Sequence, residues 1–191
     1  MTGLDYDWEF LENGRTIVPI SIGMVADDGR TYYAVNRLLA SRSPRGWLLR
    51  RRIRKHAWLM ENVVPNLPQP HGDWRLHMPK SWLFNYLDPA VKPIERIADE
   101  VAEFIRASGP DVQLWANYGA YDHVCLAQLW GPMIALPDGL PMFTHDIQQE
   151  RSRLGIGWAD LPEQESGEHD ALADARHNQT VRRWLAERAQ K

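Results

Sequence analysis

The hydrophobic and polar positions of the first forty residues predict three β-strands. Strand-like apolar segments lie at residues 4–10, 16–27 and 31–35. Asn13-Gly14 and Asp28-Gly29 separate these segments, and such pairs favour the tight turns of antiparallel hairpins. Pro19, inside the second segment, indicates a sheet edge or a bulge, because proline cannot donate a hydrogen bond to a neighbouring strand. We therefore expect a three-stranded antiparallel unit at the start of the chain.

Helical periodicity dominates the chain beyond residue 93. Apolar residues recur at helical spacing from Ile94 to Ala107, and Gly109-Pro110 ends that segment. The pattern then predicts a strand at 111–116, a helix at 119–130, a short strand entering a helix within 143–154, and a last helix at 169–188. This order is typical of an α/β fold, here a mixed β-sheet flanked by α-helices. Because no repeat divides the chain, we expect a single domain over residues 1–191.

The segment around residues 40–93 departs from this regular pattern. Its first part, from Ser41 to Met60, carries six Arg and one Lys but no acidic residue, and its apolar positions favour one helix. Its second part is rich in Pro and Trp, with a short helix expected near 81–86. We therefore predict an irregular, basic and Pro/Trp-rich insertion. The basic helix either binds phosphates or is an ordinary solvated surface.

Composition narrows the class of protein without fixing it. The 191 residues are 44% hydrophobic and 25% charged, with a net charge of -3, which is ordinary for a globular protein. This charge argues against tight nonspecific wrapping of nucleic acid but leaves room for a local basic groove. No apolar run suits a membrane span, and the first residues lack the order of a signal peptide. The single cysteine, Cys125, excludes an internal disulfide and fits the cytoplasmic location that we expect.

Two groups of polar residues suggest a metal site. Asp7 and Glu9 lie two apart on the first strand and so point to the same face, where their charges would repel each other. Mg²⁺ or Mn²⁺ would relieve that repulsion, since both favour oxygen ligands. If Asp170 caps the last helix, His169 lies just before it and Asp174 lies about one turn inside it. The alternative is a solvated edge strand followed by an ordinary surface loop and helix.

A resemblance to a known family unites these residues with a third acidic position, Asp122. Asp7-x-Glu9, Asp122 and His169-x4-Asp174, in that order, resemble the DEDDh family of 3′–5′ exonucleases, which has the ribonuclease H-like fold. The segments YDWEF, PISIGMVADDGRTYYAV, LWANYGAYDHVCLAQLWGPM and HDALADARHN are similar to the actinobacterial RNase AS group. That group comprises small homodimeric exoribonucleases that are related to RNase T and prefer adenylate-rich RNA. The resemblance covers most of the chain and is weakest between residues 38 and 93.

The resemblance implies a two-metal hydrolysis of phosphodiester bonds that releases nucleoside 5′-monophosphates. It implies two Mg²⁺ ions, with Mn²⁺ able to substitute, and four carboxylate ligands. Asp7 would bridge the two ions, Glu9 and Asp174 would hold the ion that carries the attacking water, and Asp122 would help to hold the second ion. His169 would accept a proton from the attacking water.

The same resemblance implies single-stranded RNA as the substrate and a homodimer as the assembly. We expect the substrate to contact aromatic rings beside the acids and basic groups of the insertion, namely Trp8, Phe10, Tyr121, Arg50 and Arg51. Trp8 is a departure from the family, in which a small residue is common between the two acids. If the first strand is regular, Trp8 and Phe10 face away from the acids and belong instead to the core.

Three other functions remain open at this stage. The same chemistry could act on single-stranded DNA or on very short oligonucleotides, since recognition of the 2′-hydroxyl depends on the shape of the pocket. The chain could be a catalytically silent nucleic-acid-binding module, although an intact set of five residues argues against this. Finally, the basic segment could bind an acidic protein partner.

Overall fold

A computed structural model of the protein describes residues 2–69 and 85–189. At its centre lies a sheet of six strands: β1 (Thr2–Glu12), β2 (Ile17–Ala26), β3 (Thr31–Asn36), β4 (Val91–Lys92), β5 (Val112–Ala116) and β6 (His145–Asp146). Their spatial order is β4-β3-β2-β1-β5-β6. β2 is antiparallel to β1 and β3, whereas the remaining neighbours are parallel. This mixed sheet flanked by helices confirms the predicted α/β fold class.

The turns and the irregularity predicted for the first three strands are present. Gly14 and Gly29 both adopt a positive φ, 77° and 88°, in the loops that join these strands. Pro19 pairs with Phe10 just beyond a shift of register at Glu9, so the predicted bulge is confirmed. The alternative of a sheet edge at Pro19 is wrong, because β2 lies between β1 and β3. The short edge strand β4 was not predicted.

The α-helices of the described ranges flank this sheet: α1 (Pro44–Arg54), α2 (Ala57–Asn62), α3 (Ile94–Arg106), α4 (Ala120–Gln128), α5 (Ile147–Arg153) and α6 (Ala171–Ala189). The helices predicted beyond residue 93 are confirmed to within a few residues at their ends. Within residues 2–69 and 85–189, no helix is long and apolar enough to cross a membrane.

The segment after β3 is more regular than the sequence indicates. The single basic helix expected between residues 41 and 60 is two helices, α1 and α2, separated at Lys55 and His56. Both are held by a second hydrophobic cluster, to which they contribute Leu49, Ile53 and Leu59. The short helix predicted near 81–86 lies largely outside the described residues.

Alternate residues of β1 face two different environments. Leu4, Tyr6 and Trp8 are buried in the main hydrophobic cluster together with residues of α3, α4 and β5. The opposite face carries Asp5 and the two candidate ligands and is covered by α6, which packs on β1 and β2. One face of the strand therefore supplies apolar burial, while the other supplies charge.

Polar contacts hold α6 against the charged face of β1. The guanidinium of Arg182 donates hydrogen bonds to Asp5, with Nη2 2.8 Å from Oδ2, and also to Asp27, with Nη2 2.6 Å from Oδ1. Asp5 is fully buried and the side chain of Arg182 is only 13% exposed. Asn178 Nδ2 donates to the carbonyl of Tyr6 at 3.3 Å. The buried ion pair thus helps to fix α6, beside the apolar contacts of Val181 and Leu185 in a third hydrophobic cluster.

Removing the cation of this pair should destabilise the fold more than removing its neighbour. Arg182→Met leaves the Asp5 carboxylate buried without its partner, and such a change typically costs about 3–5 kcal/mol of unfolding free energy. Arg183→Met is the matched control, because Arg183 also bonds Asp27 but its side chain is 52% exposed, and it should cost less than about 1 kcal/mol. Urea unfolding followed by circular dichroism gives both values. Equal losses in the two variants would contradict the assigned role of the buried pair.

Candidate active site

Two acids of β1 form the floor of the site. Glu9 is buried, with 7% of its surface exposed, and Asp7 is half-buried two residues earlier on the same face. The register shift between Glu9 and Phe10 follows directly, so the strand bends just after its second acid. The prediction that both carboxylates share one face is confirmed by the packing of that face beneath α6.

The start of α6 supplies the third acid and the histidine. Asp170 caps the helix, since its Oδ1 accepts hydrogen bonds from the N–H of Leu172 and of Ala173 at 3.1 and 2.9 Å. His169, just before the cap, adopts the left-handed backbone region with φ 65°. Its N–H donates to Asp174 Oδ2 at 2.9 Å. One short segment, residues 169–174, therefore provides both the helix cap at Asp170 and the candidate metal ligand Asp174.

A glycine in β2 allows this helix end to reach the sheet. Gly23 pairs with Asp7, and a Cβ added to it would lie 2.1 Å from the carbonyl oxygen of Ala171. The first turn of α6 therefore rests directly on the backbone of β2 beside Asp7. As a result, Glu9, His169 and Asp174 each offer a ligand atom within 4.8 Å of the others.

Asp122 approaches the same place from the other side of β1. It lies in the first turn of α4, is 5% exposed, and its Oδ1 accepts a hydrogen bond of 2.8 Å from the N–H of Trp8. This bond ties the residue to the strand between Asp7 and Glu9. All five residues predicted for the active site therefore lie around one stretch of β1.

Burial and mutual repulsion raise the pKa values of these acids. Burial is the main cause that raises the pKa of Glu9 to about 9, and the charge of Asp174 adds to it. The pKa of Asp122 is raised to about 7, again mainly by burial, although its bond to the Trp8 N–H acts in the opposite direction. Burial, followed by the charge of Asp122, raises the pKa of Asp7 well above its usual value. A bound cation would relieve the repulsion in such a cluster. Mg²⁺ or Mn²⁺ suits it, because carboxylates offer the oxygen ligands that both ions favour.

A cleft of about 710 Å³ opens beside these groups. Asp7, His169 and Asp174 lie on its wall, and Trp158, 57% exposed, lines it as well. The remaining lining comes from α5, α6 and the loop that leads into α6. The cleft is large enough to admit a nucleotide beside the carboxylates.

The aromatic residues predicted to contact the substrate differ in how exposed they are. Trp8 is 3% exposed and packs in the main hydrophobic cluster, so the prediction that it stacks on a nucleotide is wrong for this conformation of the strand. Phe10 is partly exposed and stacks on Tyr121, which is 56% exposed, with ring centroids 6.1 Å apart. This pair lies beside Asp122 and keeps an accessible aromatic surface.

The two arginines selected from the basic segment also differ. Nη1 of Arg50 donates to the carbonyls of Leu39 and Ser41 at 2.9 and 2.6 Å, so its guanidinium holds the backbone ahead of α1. Binding of phosphate by Arg50 does not fit this arrangement. Arg51 is exposed, and its guanidinium lies 5.3 Å from the centre of the Trp47 ring.

Several neighbours of the site are absent from the sequence prediction. Gln164 Nε2 donates to Asp174 Oδ1 at 2.7 Å, and Asn66 Nδ2 donates to the carbonyl of Glu168 at 3.0 Å. The ring of Trp58 lies against the imidazole of His169, with centroids 4.7 Å apart. No local pattern identifies these residues, because each comes from an irregular or basic segment that the fold brings to the site.

Carboxylates gathered around one strand suit the divalent cations that nucleases and other enzymes of phosphodiester chemistry use. Comparison with known proteins is consistent with that class, since the family model described as a 3′–5′ exoribonuclease Rv2179c-like domain matches residues 2–185. The chain belongs to this family. It is 40% identical over 173 residues to 3′–5′ exoribonuclease Rv2179c of Mycobacterium tuberculosis strain H37Rv, covering 90% of this chain and 85% of the relative.

A second relative and one solved structure are also similar to the chain. The 3′–5′ exoribonuclease MT2234.1 of Mycobacterium tuberculosis strain CDC 1551 shows the same 40% identity, with the same coverage of 90% and 85%. The structure of Pop2p from S. pombe, in its Mg²⁺- and Mn²⁺-bound form, is 13% identical. It has a TM-score of 0.42 and covers 98% of this chain and 83% of that one.

The raised pKa of Glu9 predicts an unusual dependence of stability on pH in the metal-free protein. Folded Glu9 keeps its proton up to a pKa of about 9, whereas an unfolded glutamate loses it near pH 4.5. The folded state therefore binds more protons between these values, and its stability falls as pH rises. Glu9→Gln should flatten this fall, measured by urea unfolding in EDTA between about pH 5 and pH 9.

Glu12→Gln is the matched control, because Glu12 lies exposed at the end of the same strand. It should leave the slope of stability against pH as in the wild type. A slope that is unchanged in Glu9→Gln would show that Glu9 is not held in its protonated form by the neighbouring acids.

Proposed function

We propose that the protein is a Mg²⁺-dependent 3′–5′ exoribonuclease that shortens single-stranded RNA and releases nucleoside 5′-monophosphates. The convergence of ligand atoms from Glu9, His169 and Asp174 within 4.8 Å, beside Asp7 and Asp122, is the observation that carries this proposal. Membership of the Rv2179c-like family supports the direction of cleavage and the class of substrate. As in the RNase AS group, we expect the enzyme to prefer RNA with an adenylate-rich 3′ end.

The carboxylates divide into ligands of two cations in this proposal. Asp7 would serve both cations, Glu9 and Asp174 would hold one of them, and Asp122, whose Oδ1 accepts the Trp8 N–H, would help to hold the other. When bound, two cations supply Lewis-acid stabilisation to the attacking and the leaving oxygen of an in-line displacement. The raised pKa values of Glu9 and Asp122 mean that binding of the cations displaces protons from these acids.

His169 acts as the general base in this reaction. It lies beside Glu9 and Asp174. There it would accept a proton from the attacking water as the water oxygen bonds to phosphorus and the bond from phosphorus to the leaving 3′ oxygen breaks. Its position before the helix cap leaves the imidazole on the wall of the cleft rather than inside the helix. Loss of a general base typically lowers the rate by about 10²–10⁴-fold, so His169→Ala retains a trace of activity.

Substrate contacts are proposed only where the side chains are accessible. Phe10 and Tyr121 form an aromatic surface next to Asp122 that suits stacking of a base at the 3′ end. Arg51, exposed on α1, supplies positive charge for the phosphates of the RNA upstream of its 3′ end. Trp8 and Arg50 are left out, since one is buried in the core and the other bonds backbone carbonyls.

A time course on RNA tests the reaction and its residues. The substrate is a 5′-labelled single-stranded RNA with a 3′ A tail, incubated with Mg²⁺ and, separately, with EDTA. We expect a ladder that shortens from the 3′ end with Mg²⁺ only. Asp7→Ala, Asp122→Ala and Asp174→Ala should fall to the EDTA background, and His169→Ala should be slower than wild type by about 10²–10⁴-fold.

Asp99→Ala is the control for this series, since Asp99 is an exposed acid on α3, and it should cleave as wild type does. DNA of the same sequence and RNA without the A tail are cleaved in parallel. Faster shortening of DNA would replace the RNA proposal with the DNA alternative. Metal binding without shortening of either strand would favour the silent binding module.

The proposed role of Arg51 predicts a change in salt dependence. Arg51→Glu should raise KM for a long single-stranded RNA and reduce the slope of log KM against log salt by about 1, as expected when one phosphate contact is lost. Arg106→Glu is the control, because Arg106 is exposed on α3, which packs on the opposite face of the sheet. An equal change of slope in both variants would assign the effect to net charge alone.

The homodimer implied by the resemblance stays a prediction.

A further inference from the structure

A tryptophan of the basic segment contacts the proposed general base. Trp58 lies on α2, is 46% exposed, and meets the imidazole of His169 at a centroid distance of 4.7 Å and an interplanar angle of 71°. The edge-to-face geometry is a favourable one for two aromatic rings. Trp58 thereby brings the segment in which the family resemblance is weakest into contact with the catalytic group.

The helix that carries Trp58 is firmly fixed. Leu59 and Val63, which follow Trp58, are 3% and 0% exposed and belong to the second hydrophobic cluster. His56 caps the helix, with Nδ1 accepting the N–H of Leu59 at 3.3 Å. Because the residues on either side of it are anchored, Trp58 presents its ring to His169 from a rigid base rather than from a loose loop.

His169 itself needs such support. A left-handed backbone with φ 65° is unfavourable for a residue with a Cβ, and it persists only where neighbouring contacts impose it. Asp174 holds the N–H of His169, and Asn66 holds the carbonyl of Glu168 just before it. These two bonds fix the backbone, whereas the contact with Trp58 acts on the ring.

We propose that Trp58 is a positioning residue for the general base: it packs against the imidazole of His169 and keeps it directed at Glu9 and Asp174. The inference rests on the proposed function, in which His169 accepts the proton of the attacking water. A base must lie within hydrogen-bond reach of that proton, and a displacement of about 1 Å can cost 10²-fold in rate. Without Trp58 the imidazole would be rotated away from the carboxylates for part of the time, with a loss of rate limited by the energy of the ring contact.

Direct stacking of Trp58 on an RNA base would be a different role. In that case Trp58 would contribute to binding of the strand, and its loss would raise KM whether or not His169 is present. A positioning role acts through His169 alone. The two roles therefore differ in which kinetic constant changes and in whether the effect needs the histidine.

The test is a double-mutant cycle measured by single turnover, with the protein in excess over the RNA and its concentration varied, so that the maximal rate and KM are obtained separately. Trp58→Ala should lower the rate by roughly 3–10-fold with KM unchanged, the range that corresponds to an aromatic pair contact. Trp58→Phe should recover the rate to within about twofold, because a phenyl ring restores the packing. In the His169→Ala background, Trp58→Ala should have no further effect, since the group on which it acts is gone. Trp47→Ala, which removes a tryptophan of similar exposure from α1, should keep the wild-type rate.

A second readout does not depend on activity. The imidazole proton resonances of His169, assigned by their loss in His169→Ala, should carry a ring-current shift that disappears in Trp58→Ala and persists in Trp47→Ala. An equal loss of rate with and without His169, a change in KM alone, or an unshifted resonance would each overturn the positioning role. If the wild type cleaves no RNA although the resonance is shifted, the proposed function fails and the catalytic meaning of the contact fails with it, while the contact itself stands.

Discussion

The close approach of α6 to the sheet at Gly23 is the constraint on which the site depends. The first turn of this helix touches the backbone of β2 so tightly that a single Cβ could not be accommodated. Any outward movement of the helix would carry Asp174 and His169 away from Glu9. The approach is maintained about three turns further along by the ion pair between Arg182 and Asp5. A backbone contact and a buried charge pair thus determine together where the third carboxylate lies.

This arrangement explains how the fold tolerates a cluster of acids that repel one another. The acids occupy one face of β1, and the other face buries Leu4, Tyr6 and Trp8 in the main core. Apolar burial on that second face stabilises the strand independently of the charges opposite it. Asp122 belongs to a helix on the apolar side, yet its carboxylate bonds the backbone of β1 and so reaches the charged region. Residues from both sides of β1 therefore contribute to the site.

Features with a local signal could be predicted from the sequence, and those that depend on tertiary position could not. The alternation of Asp7 and Glu9, the cap at Asp170 and the place of His169 before it all follow from short-range rules of strands and helix ends. Arg50 illustrates the limit, because a count of basic residues does not reveal that its guanidinium bonds two carbonyls. Trp8 follows the rule of strand alternation, which places it in the core, rather than its nearness to the acids in sequence.

Trp58 shows how a segment outside the shared motifs can contact the site. In the sequence it stands at an apolar position of a basic helix, where a core role is the natural interpretation. In the fold α2 packs on the second hydrophobic cluster through Leu59, and Trp58 lies beside His169. The strained backbone of His169 would be a liability on an isolated loop, since a more relaxed conformation would be available to it. It is sustainable here because residues from α2, the following turn and α6 restrain the same short segment from three directions. The geometry of His169 is therefore set as much by the segment outside the shared motifs as by the motif that contains it.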